Sequence, residues 1–350
     1  MKAWLSYAAL IVALAFLGLT VLNASWLAPD PKGAVKLIAH RGLYQQYDKT
    51  GVGRDTCTAT RIEQPIHDYL ENTVPSISRA AKLGATMVEI DVAPTQDGQL
   101  AVFHDWTLDC RTDGTGDTRD ATMAELKALD AGHGYTADGG ETFPFRGTGV
   151  GAIPTVEEAM AASGRASLIY NFKSKDPREA DMLAAAIKAA GRKTGGRGDA
   201  FYGGQGPVDR IREIFPEAWA FSNAEAEACT RDYILYGWSG WFPASCENGT
   251  LMVPLDRQFL FWGWPNRMIA RAEAHGARIV VIGPSGDGRP RGLDLPEQLG
   301  EIPDSFNGYA WVEDSLAVIP ALIQRFDDRK PHEIDALVEG LERRRARRGD

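Results

Sequence analysis

The chain has 350 residues, long enough for one large domain or two ordinary ones. With 44% hydrophobic and 24% charged residues it is a globular chain, which excludes a disordered or fibrous protein. A formal net charge of −9 excludes a generic nucleic-acid binder, and no nucleic-acid partner is expected.

The N-terminus stands apart. Residues 3–22 carry no charge, and such a run spans roughly 30 Å as a helix, the thickness of a bilayer core. Trp4 and Trp26 bracket it, and Lys2 precedes it, which favours a cytoplasmic N-terminus and an exported body. A cleaved signal peptide is the competing reading, but Asn23-Ala24-Ser25 and Trp26-Leu27-Ala28 are poor cleavage sites. We expect a membrane anchor or signal segment over residues 1–28, a globular body over 29–330 and a basic helical tail over 331–350. The tail's arginines 343, 344, 345, 347 and 348 suit anionic headgroups or plain solvation. Four cysteines form no C-x-x-C pair, so an exported body points to two disulfides. Of three possible pairings we expect Cys57–Cys110 and Cys229–Cys246, the latter closing a Trp- and Tyr-rich loop.

In the body, an apolar run at 35–39 ends in His40-Arg41-Gly42. Residues 44–68 lack periodicity and read as a functional or disulfide-pinned loop. Glu71-Asn72-Thr73 opens a helix that stops at Gly84. The run 87–92 holds Glu89 and Asp91, whose spacing of two aims both acids at one face of a strand. Two buried acids side by side call for a cation or a proton. An Asp-Gly turn at Asp97-Gly98 folds the next run, 100–103, back on the first and returns His104-Asp105 to the acids. Helices follow at 122–129 and after Thr155, then a strand at 166–172 leading to Asn171 and Lys173. Strands at 200–203, 218–222, 251–255, 277–282 and 308–312 alternate with helices at 181–190, 208–215, 224–235, 266–275 and 315–326. Setting aside the hairpin excursion leaves eight βα units, the count of a (β/α)8 TIM barrel, here behind an N-terminal transmembrane helix. No Gly-rich fingerprint follows the first strand, which argues against a doubly wound sheet.

Barrel chemistry sits at the C-terminal strand ends, where His40, Arg41, Glu89, Asp91, Asn171 and Lys173 fall. Two carboxylates and an amide oxygen suit one hard divalent ion, Mg2+ or Ca2+. Arg41 and Lys173 suit anionic oxygens, and two histidines can divide acid and base work. Together they describe phosphodiester hydrolysis.

The segments IAHRG, ENT, VEIDV, DGQLAVFHD, LKALDAG and IPTVEEAM resemble the glycerophosphodiester phosphodiesterase family of TIM barrels, from Leu37 to Lys173. The resemblance implies hydrolysis of glycerophosphodiesters to an alcohol and glycerol phosphate, in many members by attack of a substrate hydroxyl. It implies His40 and His104 as the acid/base pair, Arg41 and Lys173 as phosphate ligands, and Glu89, Asp91 and Asn171 at the metal, with Glu71, Asn72 and Asp105 in support. The expected partners are a glycerophosphodiester or lysolipid-type substrate and the membrane.

There are departures from the family pattern. Asn171-Phe172-Lys173 stands where Glu-x-Lys is usual, which removes a charge from the metal site. Residues 278–283 lack the family's tryptophan, Glu313-Asp314 replaces a single Asp, and the loop before Glu71 is long. Trp238, Trp241, Phe242, Phe259, Phe261, Trp262 and Trp264 form either a lipid-facing rim or ordinary packing. The rim motivates a second reading, phospholipase D- or C-like action on intact lipid. Asn171 motivates a third, a non-catalytic lipid- or phosphate-binding barrel.

Overall fold

Strand alternation decides which residues enter the lumen. In the computed structural model, which describes residues 2–53, 56–285, 291–324, 327 and 329–348, nine strands form one sheet: β1 (Lys36–Ala39), β2 (Met87–Pro94), β3 (Leu100–Val102), β4 (Ser167–Phe172), β5 (Ala200–Gly203), β6 (Trp219–Ser222), β7 (Thr250–Pro254), β8 (Arg278–Ile282) and β9 (Tyr309–Val312). β3 pairs antiparallel with β2 as the Asp-Gly turn requires. The other eight are parallel in the order β6-β5-β4-β2-β1-β9-β8-β7, the predicted eight-stranded barrel, nearly closed.

Ile38, Met87, Ile169, Ala200, Val280 and Tyr309 fill the lumen as one apolar layer. Their neighbours Leu37, Val88, Leu168, Phe201, Val281 and Ala310 belong to the outer core, which packs on the helices. Moving two residues along from the lumen layer on β1, β2, β4 and β9 gives His40, Glu89, Asn171 and Trp311. Two further on β2 and β9 lie Asp91 and Glu313. Period-two geometry therefore lifts the chemically capable side chains to the barrel mouth.

The helices are α1 (Lys2–Leu22), α2 (Val74–Leu83), α3 (Met123–Ala128), α4 (Val156–Ala162), α5 (Arg178–Ala189), α6 (Gln205–Ile214), α7 (Asn223–Tyr236), α8 (Asn266–Ala274), α9 (Ser315–Leu322) and α10 (Pro331–Arg348). Thr122, Thr155 and Ser222 start α3, α4 and α7 with capping boxes to Glu125, Glu158 and Glu225. α9 ends at Leu322, short of the predicted 326. Residues 325–326 and 349–350, to which the sequence reading extended α9 and the tail, lie outside the described residues. α1 is long and apolar enough to cross a bilayer over Trp4–Leu22, with mean hydropathy 2.4 and none of it buried. α10 packs on the barrel and is not a solvated tail: Leu337 and Leu341 are buried, and buried Arg344 pairs with Asp314 at 2.6 Å and Glu63 at 3.0 Å.

Both expected disulfides form, with Cα separations of 5.4 Å for Cys57–Cys110 and 4.7 Å for Cys229–Cys246. The aromatic region divides. Phe242 and Phe261 are buried, whereas Trp238, Trp241 and Phe259 are exposed.

Closure fails at one place. β6 and β7 share no ladder among the described residues. Side chains bridge this seam instead. Trp219 Nε1 donates to Thr250 Oγ1 at 2.9 Å, and the β7 edge amide of Met252 donates to Thr230 Oγ1 of α7 at 2.9 Å. Both keep buried donors from being orphaned. Replacing Thr250 with Val keeps the shape but leaves the Trp219 N–H unpartnered. The expected loss is about 1–3 kcal/mol of stability, read as a lowered urea midpoint; an unchanged midpoint would show that the seam does not rely on this bond.

Candidate active site

The His40-Arg41-Gly42 turn is built by close approach. Gly42 has φ +75°, and a Cβ there would fall 2.3 Å from Ser76 Oγ, so only glycine fits beneath α2. Arg41 is also left-handed, with φ +53°, and its N–H donates to Glu89 Oε2 at 3.0 Å. Asn72, another left-handed residue at φ +59°, holds Asp91 twice: Nδ2 donates to Oδ2 at 2.9 Å and the Asp91 N–H donates to Oδ1 of Asn72 at 3.1 Å. Asparagine tolerates that backbone better than most residues.

Glu89 and Asp91 are fully buried at the centre. Tyr202 donates its hydroxyl to Glu89 Oε1 at 2.8 Å. Asp91 Oδ1 receives Asn171 Nδ2 at 2.8 Å and lies 3.5 Å from Lys173 Nζ, while Oδ2 is 3.3 Å from Arg41 Nε. The two acids are pushed apart. Burial and the neighbouring Asp91 charge raise Glu89. Burial would raise Asp91 too, but the charges of Lys173, His104 and Arg41 hold it far below the usual carboxylate range.

Each histidine is oriented by a carboxylate at Nδ1, leaving Nε2 for the site: His104 by Asp105 at 2.6 Å and His40 by Glu313 at 3.0 Å. His40 Nε2 is 3.9 Å from Glu89 Oε2. Burial and the Arg41 charge lower His104 to about 4. Burial also opposes the charged form of His40, but Glu313 outweighs it and the net shift is upward. Tyr44 donates to Glu313 as well.

A second ring of charges holds the first. Glu71 accepts from Arg41 Nη1 at 2.9 Å and from Arg111 Nη2 at 3.2 Å, and Arg111 also donates to Asp105. Arg111 follows Cys110, so the Cys57–Cys110 disulfide pins the loop that supplies it. The contacts thus join His40, Arg41, Glu71, Asn72, Glu89, Asp91, Asn171 and Lys173, and link His104 and Asp105 to them through Arg111. Lys173, Asn171 and His104 also line one cavity.

The donor set fits a hard divalent cation. Glu89 is a buried carboxyl raised by the charge beside it, a load that a cation at the acids would relieve. Among the described residues no three His, Cys, Asp or Glu side chains are grouped so as to hold a metal ion, so an ion would rest on two carboxylates and neutral oxygens. Asn171 turns its NH2 to Asp91 and its carbonyl oxygen toward Gly203; exchanging its two ends would offer that oxygen beside Asp91.

Sequence reasoning assigned no role to Glu313, Tyr202 or Arg111. Glu313 and Tyr202 were findable, because they share lumen parity with Tyr309 and Ala200. Arg111 had no local signal: it reaches the site through a loop and a disulfide.

Replacing Glu71 with Gln leaves Arg41 and Arg111 buried with less compensation. The expected cost is about 3–5 kcal/mol, measured by denaturation. Burial raises the Glu71 carboxyl, but Arg111 and Arg41 outweigh that and its net shift is downward. Its contribution is therefore present above the ordinary Glu range and lost as pH falls through the lowered folded value. The Gln variant is expected to lose less stability on acidification than the wild type.

The family model of the glycerophosphoryl diester phosphodiesterase family matches residues 40–193. A glycerophosphodiester phosphodiesterase of Caldanaerobacter subterraneus is 37% identical over 123 residues, 34% of this chain and 47% of the relative. Human glycerophosphodiester phosphodiesterase 1 is 40% identical over 124 residues, 35% of each chain. The match thus spans less than half the length of these curated relatives. Among solved structures, a glycerophosphodiester phosphodiesterase from Agrobacterium tumefaciens aligns with TM-score 0.51 and 22% identity over 80% of this chain and 95% of that one. An Oleispira antarctica phosphodiesterase in complex with the product sn-glycerol-3-phosphate aligns with TM-score 0.50 and 19% identity over 87% and 100%. These likenesses show the barrel fold. Residues 40–193, the motif-bearing part of the barrel, are thus similar in sequence to the glycerophosphoryl diester phosphodiesterase family, and the barrel as a whole is similar in fold to the solved phosphodiesterases.

Proposed function

We propose that the protein hydrolyses glycerophosphodiesters to an alcohol and glycerol phosphate, with His40 and His104 as the acid/base pair and one divalent ion at Glu89 and Asp91. The observation that carries this reading is the pair of histidines, each locked at Nδ1 by its own carboxylate beside buried acids. A binding barrel has no need of two such dyads. Arg41 and Lys173 supply positive charge to the phosphoryl oxygens. One histidine takes a proton from the attacking hydroxyl and the other gives one to the departing alkoxide. Asp105 and Glu313 fix the ring orientations. Bound Mg2+ or Ca2+, held by Glu89 and Asp91 with Asn171 nearby, would polarise a phosphoryl oxygen and offset its charge. The product named in the Oleispira antarctica complex supports a glycerol phosphate product here. α1 and the two disulfides support a body exported and tethered by an N-terminal helix.

The test is product analysis with deacylated headgroup esters of glycerophosphate. His40→Ala and His104→Ala are each expected to lower kcat by about 10²–10⁴-fold. Chelation is expected to abolish turnover, and Mg2+ or Ca2+ to restore it. Wild-type protein inactive with either ion would sink the reading. Asn171→Glu adds a carboxylate beside the acids and is expected to lower the ion concentration for half-maximal activity by about tenfold; an unchanged requirement would place Asn171 away from the ion.

A further inference from the structure

The end of the barrel opposite the mouth carries a second concentration of charge. Two residues before Ile38 on β1 lies Lys36, and two before Val280 on β8 lies Arg278, so both share the parity of the apolar lumen layer. Lys36 Nζ lies 5.1 Å from the centre of the Tyr309 ring and donates to the Asn307 carbonyl. Arg197, from the loop before β5, and Lys32, from the linker after α1, border the same cavity of about 250 Å3. One acid borders it as well, Glu273, and that carboxylate already accepts from Asn307 Nδ2 at 3.0 Å. Among the described residues none of the four cations makes an ion pair. Burial and the charges of Arg197 and Arg278 lower the Lys36 ammonium from its ordinary value, and Glu273 opposes them only in part. In a chain of net charge −9, four cations thus crowd one cavity, a load that an anion would relieve.

The cavity is smaller than the range of about 300–1,000 Å3 that takes whole drug-sized ligands, which suits a single oxyanion. Guanidinium and ammonium groups together suit the oxygens of a phosphate. Two sources of phosphate can reach this place, a soluble ion and a lipid headgroup. The linker from α1 is fastened along α8 on its way there. Asn23 Oδ1 accepts from Arg271 Nη2 at 2.7 Å, Ser25 Oγ accepts from the Asn266 N–H at 3.0 Å, and Asp30 Oδ1 accepts from Asn266 Nδ2 at 2.8 Å. Asn307 Nδ2 then donates to the Lys32 carbonyl at 3.1 Å. The span-length helix therefore leads to the cavity, whose wall includes Ala272 and Glu273 of α8.

We infer that this cavity on the barrel floor is a binding site for a phosphate group. Lys36, Arg197 and Arg278 supply its counter-charge, and Lys32 adds a fourth cation from the linker. The site is separate from the one at the mouth: β1 rises about 13 Å from Lys36 to His40, and the apolar lumen layer lies between them. It does not depend on the phosphodiesterase reading, since no residue of the mouth takes part. A phosphate held there joins the linker to the barrel floor and fixes how the body sits relative to α1.

Amine labelling of the full chain, read at each lysine by mass spectrometry, tests the assignment. In detergent micelles, inorganic phosphate is compared with chloride at equal ionic strength. In bilayers, phosphatidylcholine alone is compared with phosphatidylcholine containing phosphatidylglycerol. Labelling of Lys32 and Lys36 is expected to slow about fivefold or more once the phosphate is well above its Kd, while exposed Lys82 keeps its rate. Slowing by inorganic phosphate marks a soluble anion as sufficient; slowing by phosphatidylglycerol alone marks a headgroup. Arg197→Gln and Arg278→Gln are each expected to raise the level of phosphate or phosphatidylglycerol for half-protection about tenfold. Arg197 is exposed, so its exchange leaves the packing intact should Arg278→Gln fail to fold. Unchanged labelling in both media overturns the assignment. So does protection that survives in the variants, equal slowing of Lys82, or protection of Lys173 at the mouth in place of Lys32 and Lys36.

Discussion

The burial of Glu89 and Asp91 side by side on one strand is the constraint on which the site depends. Two carboxylates without water are costly, and the surrounding chain is arranged to offset them. Asp91 is met by two amides and lies near Lys173 and Arg41, and Glu89 by a tyrosine hydroxyl and a backbone amide. The compensation is uneven. Asp91 is held ionised, whereas Glu89 keeps a raised carboxyl. That imbalance leaves at the mouth of the barrel a load that a cation or a proton would relieve.

The same logic extends outward. Arg41 would be over-committed if it served the acids alone, so Glu71 anchors it and Arg111 anchors Glu71. Arg111 then reaches Asp105, which orients His104. A disulfide between two loops of irregular backbone fixes where Arg111 begins. The order of the site is thus set partly by covalent cross-linking of loops and partly by a chain of alternating charges. On the other side Glu313 does for His40 what Asp105 does for His104, supported by Tyr44 and by Lys49 at 3.8 Å.

The open seam gives the barrel its asymmetry. A fully laddered sheet would present similar walls all around its mouth. Here β6 and β7 part, α7 supplies a threonine to the free β7 edge, and an apolar stripe comes to line a cavity beside His40. The polar cavity by His104 has no such stripe. The base of α1 is bonded to the turn after α7 and to α8, so the helix that could enter a bilayer is fastened to that side of the barrel.

The sequence by itself determined the strands, the hairpin, the barrel and most of the residues that gather at its mouth. Those features follow from short-range rules: a period of two, an Asp-Gly turn, and polar residues at strand ends. Glu89 and Asp91 were legible because alternation is local, and His104 because a tight turn reverses the chain. The disulfide pairing formed as expected, but the tail was legible only in outline; that Arg344 buries its charge against Glu63 and Asp314 depends on partners 281 and 30 residues away. Arg111, the docking of Asn23, the unlatched seam and the cavity along α7 were decided by the tertiary structure alone. Each arises where segments distant in the chain meet, and no local pattern records which ones will. The amide of Asn171 shows the division within one residue. Its position was readable from the strand, but that its NH2 meets Asp91 appears only once β2 and β4 lie side by side.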